Sequence, residues 1–325
     1  MQFDQMKRRE FITLLGGAAA WPLAANAQPA AVAMIGVLVT GNPNPEPFLQ
    51  GLREGLRAAG HVEGQNIRLE LRSSEGKAAL LPEKAAELVR LKPDVIVGFL
   101  TPTVQAAKEA TKDIPIVMAP AGDPVGTGLV TSLARPGGNV TGVSTAGAEV
   151  AGKSLELIRE LFPSARRVAV LANETDPFTQ PFLAQIEQGA PRVDLEVEAV
   201  MSRPAAPQEP SFETMRANRV DALIVQGTMM RKDVVDLANK YRLPSLGSNQ
   251  TWPRAGGLMS YSANFPQMFR EAASYVDKIL KGRQPEDLPV ALATKFDLVI
   301  NLKTAKTLSL TIPESFLVRA DEVIE

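Results

Sequence analysis

Cysteine is absent from the 325 residues, and histidine occurs once, as His61. Disulfides, thiolate zinc sites, cysteine nucleophiles and multi-histidine metal sites are excluded together, so no metal or cofactor is expected. An excess of one charge is also lacking, with 35 Lys plus Arg against 36 Asp plus Glu and no long run of either sign. Without a basic stripe to neutralise phosphates, nucleic acid is not an expected partner. Aromatic residues make up only 5%, while 45% hydrophobic and 22% charged residues describe a soluble globular chain with one large core or two modest ones. Beyond Gln28 there is no apolar run of the roughly 20 residues that a membrane-spanning helix needs.

What is present starts with an address. Lys7, Arg8 and Arg9 precede Glu10, Phe11 and Ile12, then an Ala- and Gly-rich apolar stretch from Thr13 to Leu23, the order of an export signal. Ala25-Asn26-Ala27 offers small residues at alternate positions to a signal peptidase, which places cleavage before Gln28 and the mature protein in the periplasm. Arg8-Arg9-Glu10-Phe11-Ile12 also resembles the twin-arginine export pattern. As an uncleaved anchor the stretch would be too short, and it is interrupted by Gly16, Gly17 and Pro22.

From Val32 onward, short apolar strands alternate with amphipathic helices, the pattern of a parallel sheet with crossover helices. Strands are expected at residues 32–39, 67–71, 95–99 and 114–118, with helices at 47–59, 80–91 and 103–110 between them. The grammar then restarts. Asp94-Val95-Ile96-Val97-Gly98 is echoed by Asp221-Ala222-Leu223-Ile224-Val225-Gln226-Gly227, and Ile114-Pro115-Ile116-Val117 by Leu243-Pro244-Ser245-Leu246. Such self-similarity implies an α/β chain of two Rossmann-like lobes with parallel sheets. The run Arg135-Pro136-Gly137-Gly138-Asn139 turns into a strand taken as the first crossing between lobes. The strand at 258–261 and helix at 265–280 should return to the first lobe, and the strand at 296–301 should close the second, giving a three-segment hinge. The expected boundaries are 28–143 plus 254–286 for lobe 1 and 144–253 plus 287–325 for lobe 2, with the ligand cleft between them.

In open parallel sheets ligands bind beyond the carboxyl ends of the strands, where loops feed helix amino termini. That rule selects Thr40, Asn42, Thr101, Thr103, Asp123, Asn173, Gly227, Asn249 and Trp252 on the corresponding loops. Thr101-Pro102-Thr103 can present hydroxyls and backbone donors to a carboxylate, or simply cap a helix. Asp123 can pair with an ammonium or hydroxyl, or start an Asp-Pro turn. Trp252 can stack on a ligand ring, or pack at the hinge with Tyr261. His61, in a turn opposite the cleft, reads as a solvated surface residue. Gly122-Asp123-Pro124-Val125-Gly126-Thr127-Gly128 matches neither the dinucleotide fingerprint nor a phosphate loop. No catalytic constellation is recognised.

Several segments carry a family resemblance in order and spacing: Val62-Glu63-Gly64-Gln65-Asn66, Asp123-Pro124-Val125, Arg135-Pro136-Gly137-Gly138-Asn139-Val140-Thr141-Gly142-Val143, Ala255-Gly256-Gly257-Leu258-Met259-Ser260-Tyr261 and Thr294-Lys295-Phe296-Asp297-Leu298-Val299-Ile300-Asn301. With the leader, the chain resembles the ABC transporter substrate-binding proteins related to tryptophan- and phenylalanine-binding receptors. The resemblance implies a type I periplasmic-binding-protein fold and a monomeric, non-enzymatic receptor. Such a receptor closes on an amino acid or small carboxylate and delivers it to an ABC permease. It also implies ligand contacts at Thr101, Thr103, Asp123 and the loop from Asn249 to Trp252. Two other readings share the scaffold: a periplasmic enzyme, which needs a nucleophile with its base or two converging carboxylates, and a ligand-loaded sensor for a signalling receptor.

Overall fold

Short aliphatic runs become central strands. In the computed structural model, which describes residues 32–40 and 46–325, β1 (Ala33–Val39), β3 (Val95–Gly98) and β4 (Ile116–Ala121) are buried along most or all of their length. Parallel strands covered on both faces require that. β2 (Ile67–Ser73) interleaves Arg68, Glu70 and Arg72 with apolar residues and takes the edge, where charge discourages pairing with another chain. With β5 (Val140–Ser144) and β11 (Ala291–Leu292) these strands make a sheet ordered β11-β5-β4-β3-β1-β2, all six parallel among the described residues. Helices α1 (Glu46–Ala58), α2 (Leu81–Arg90) and α3 (Thr101–Ala110) connect its first four strands. The leader, its cleavage point and Asn42 lie outside the described residues.

The second sheet contains β6 (Arg167–Asn173), β7 (Glu196–Ser202), β8 (Ala222–Val225), β9 (Ser245–Gly247), β10 (Met259–Ala263), β12 (Phe296–Asn301) and β13 (Glu322–Ile324). Its order is β13-β12-β10-β9-β8-β6-β7. Helices α4 (Gly147–Leu161), α5 (Thr179–Gly189), α6 (Glu209–Ala217), α7 (Lys232–Lys240) and the one-turn α8 (Thr251–Arg254) belong to this half. The internal repeat is visible in the ladders: β2-β1-β3-β4 in one sheet corresponds to β7-β6-β8-β9 in the other. The fold is therefore α/β with two Rossmann-like lobes, mostly parallel.

The sheets divide differently from the expected boundaries. β10, expected with the first lobe, pairs with β9 in parallel and with β12 antiparallel, both in the second sheet. β11, expected with the second, pairs with β5 in the first. Of the strand and helix expected to return to the first lobe, α9 (Phe265–Leu280) does so, and its Arg270 pairs with Glu54 of α1 at 2.7 Å. The chain thus passes between lobes at residues 145–146, 264 and 293–295. These crossings are laced to the lobes and to one another: Thr145 N–H donates to Ala121 O (3.0 Å), Ala293 N–H to Ser144 O (2.9 Å) and Asn264 N–H to Lys295 O (3.0 Å). Asn264 also caps α9 by accepting from Gln267 N (2.9 Å).

His61 is a further correction. Its Nε2 lies 2.8 Å from Asp277 Oδ1, with both side chains 17% exposed, so it ties the turn after α1 to α9 rather than facing solvent. Among the described residues no helix is long and apolar enough to cross a membrane.

Candidate functional site

The carboxyl ends of the two sheets face each other across a cavity of about 710 Å³. Its walls differ in chemistry. The first lobe contributes Val39, Leu100, Pro120 and the rings of Phe99, Phe265 and Phe269, together with Thr40, Ser74 and Glu75, and Phe99 and Phe269 are stacked at 4.9 Å. The second contributes Asn173, Thr175, Thr228, Asn249 and Thr251, with Arg231, Lys232 and Asp233 farther along. A pocket with an apolar wall and a few fixed polar groups suits a small organic ligand. Leu100 holds φ 69° where β3 hands over to α3, a costly conformation for a residue with a Cβ. The Leu100 N–H donates to Pro120 O at 2.9 Å, which keeps this turn at the cavity wall.

The lobes approach each other at both ends of the cleft. Near the hinge, the Phe178 ring of the second lobe lies flat enough on Gly122 of the first that a Cβ there would sit 2.7 Å from three ring carbons. At the outer rim, a Cβ on Gly76, after β2, would lie 3.8 Å from Arg231 Nη1. Arg231 is itself oriented by Asp233, at 2.9 Å.

The expected site residues separate into groups. Thr40, Asn173, Gly227 and Asn249 line the cavity. Asn173 Oδ1 accepts from Thr175 N (3.0 Å) and Oγ1 (2.9 Å), and Asn249 Oδ1 accepts from Thr251 N (2.9 Å) and Oγ1 (2.5 Å). Both amides thus shape the loops that end β6 and β9. Thr101 lines a smaller void of about 70 Å³ beside the main one, and its Oγ1 accepts from Gly122 N at 3.0 Å, stapling the loops after β3 and β4.

Three expectations are corrected. Thr103 is fully buried and donates to Phe99 O (2.8 Å) and Leu100 O (2.9 Å), so its hydroxyl serves the helix turn. Asp123 lines neither cavity; its Oδ1 accepts from Gly126 N at 2.9 Å and its carbonyl from Thr127, the Asp-Pro turn arrangement. Trp252 borders the cavity, yet it is 1% exposed and its Nε1 donates to Ser245 Oγ at 3.1 Å. Built Cβ atoms on Gly247 and Gly257 would lie 2.3 and 2.1 Å from it, so the indole packs against their backbones and offers no open face for stacking.

The group that sequence reasoning passed over is Asp176. It sits in the loop after β6, 7% exposed, and lines the smaller void. Its Oδ1 accepts from Phe178 N (2.9 Å), and its Oδ2 from Thr228 Oγ1 (2.9 Å) and Gln226 Nε2 (3.2 Å). Burial pushes its carboxyl up to about 6, against the downward pull of the Phe178 and Thr228 bonds. The only sequence signal, Asp176-Pro177, reads as a turn. Among the described residues no cluster of three His, Asp or Glu is placed to hold a metal.

Known proteins resemble this chain over most of its length. The family model described as ABC transporter substrate binding protein matches residues 34–324. A tyrosine-binding protein of Clostridioides difficile is 27% identical over 273 residues, 83% of this chain and 78% of its own. Among solved structures, an ABC domain in complex with L-Trp from Streptococcus pneumoniae has a TM-score of 0.84 at 30% identity, covering 90% of this chain and 100% of that one. A conserved domain protein from Vibrio cholerae has a TM-score of 0.83 at 30% identity, covering 90% and 99%.

Proposed function

The chain belongs to the ABC transporter substrate-binding protein family, whose members are typically extracytoplasmic, bind small molecules and serve an ABC permease, and on that premise we propose that its ligand is an amino acid with an apolar, aromatic-sized side chain. The observation that carries this reading is the cavity of about 710 Å³, in which three phenylalanine rings come from the first lobe and the amides of Asn173 and Asn249 with the hydroxyls of Thr175, Thr228 and Thr251 come from the second. The apolar wall would receive the side chain and the polar wall the head group, and closing the lobes would desolvate both. That the similar proteins bind tyrosine and L-Trp supports the same class.

The protein would act as a monomer without catalysis and without nucleic acid, the cleft serving only to hold and release. Its export signal would be cut before Gln28, leaving it in the periplasm. N-terminal sequencing of the exported protein should then begin at Gln28.

A thermal-shift screen of amino acids and aryl carboxylates tests the ligand class. A ligand at 100 times its dissociation constant stabilises the native state by about 2.7 kcal/mol. Failure of every aromatic or large apolar amino acid to raise the midpoint would remove it.

A further inference from the structure

Resting on the receptor reading above, we infer that Asp176 is the cation-holding group of the cleft, so that the receptor selects ligands bearing a protonated amine over the corresponding amine-free acids. The carboxylate is 7% exposed, and its three hydrogen-bond partners, Phe178 N, Thr228 Oγ1 and Gln226 Nε2, are all neutral. None of the ion pairs among the described residues includes it. The other buried acid with no basic partner within 3 Å, Asp297 at 6% exposure, still has Lys295 Nζ at 3.8 Å. An ionised carboxylate buried without a countercharge is costly, and such groups persist where a partner arrives from outside.

The void beside Asp176 fits that partner. It measures about 70 Å³ and adjoins the main cavity, with Leu100, Gly227, Thr228 and Phe265 lining both. A water molecule's share of liquid volume is about 30 Å³, so the void has room for an ammonium and the carbon that bears it. Asp176 is its only ionisable lining residue; the charged groups Glu75, Arg231, Lys232 and Asp233 belong to the lining of the main cavity alone. A carboxylate offers about four acceptor positions. Three are filled, two on Oδ2 and one on Oδ1, which leaves an acceptor position on Oδ1. Burial, which pushes this carboxyl up to about 6, is the condition that a ligand ammonium would relieve.

The test is calorimetric titration of the whole mature protein with matched pairs, L-tryptophan, L-tyrosine and L-phenylalanine against the 3-arylpropionates that lack only the amine. Wild type should bind the better amine at least about tenfold tighter than its partner, the scale of a charge-assisted hydrogen bond. Asp176→Asn should bring the two together by weakening the amine alone, with an undiminished unfolding midpoint. A merely structural Asp176 would instead weaken both members equally, and that result overturns the inference while leaving the receptor reading intact, as would equal binding of both members by wild type. No binding of any pair by wild type sinks both. If the Asn variant does not fold, wild type alone decides: amine affinity should fall below about pH 6 relative to arylpropionate affinity, and parallel pH profiles refute the assignment.

Discussion

Gly122→Ala should weaken ligand binding by making closure harder, without loosening either lobe. The added methyl would sit 2.7 Å from Cγ, Cδ1 and Cε1 of Phe178, about 1 Å inside an ordinary carbon contact. The ring has little room to retreat, because its Cζ already lies 2.8 Å from where a Cβ on Gly147 would be and Phe182 packs beside it at 5.7 Å. Overpacking of this kind costs about 1–3 kcal/mol. Gly122 and Phe178 belong to opposite lobes, so the cost falls on the closed arrangement and is relieved when the hinge opens. Ligand affinity is coupled to closure, and about 1–3 kcal/mol of coupling corresponds to a loss of roughly 5- to 150-fold. Titration calorimetry reads the affinity, and small-angle scattering of the ligand-free protein reads a shift toward the open form. Replacing the ring as well, in Gly122→Ala with Phe178→Leu, should recover much of the lost affinity. Unchanged affinity in the single variant would mean that this contact is not part of the ligand-holding state.

Other consequences concern stability. The Asp176 carboxyl moves from 3.8 unfolded to about 6 folded, so the folded state holds the proton more tightly. The stability of the ligand-free protein should therefore fall as pH rises from about 4 to about 6 and level off above, by about 3 kcal/mol from this group; urea midpoints across that range should show the slope in wild type and lose it in Asp176→Asn, and identical slopes would refute it. Gly257→Ala, whose Cβ would lie 2.1 Å from Trp252 Nε1, should cost at least about 1–3 kcal/mol and red-shift tryptophan emission as the indole is displaced from its buried seat. His61→Ala should destabilise by breaking the half-buried link to Asp277 while leaving ligand affinity within about twofold, since sites that share no partners act independently; a large affinity loss would contradict its placement away from the cleft.

Local chemistry by itself determined the alternation of strands and helices and the duplicated order of the lobes. Val95–Gly98 and Ala222–Val225 read as short buried strands because four consecutive apolar or small residues suit a strand covered on both faces, and both are buried throughout. The loops that line the cleft followed from the same pattern, since a parallel sheet puts its strand ends on one side. Partner choice was not local. β10 carries nothing that names a sheet; it joins the second because its ladder meets Leu246 and Val299. The clearest division lies in two dipeptides, Asp123-Pro124 and Asp176-Pro177, each following a strand and each a plausible turn. Only tertiary structure separates them. Asp123 is spent on its own turn outside the cavities, whereas Asp176 is buried in hydrogen bonds from Phe178, Gln226 and Thr228, beside a void that Thr101 and Gly122 of the facing lobe also line. A carboxylate's solvation depends on what packs against it, and here that neighbour comes from a segment more than fifty residues away in the chain.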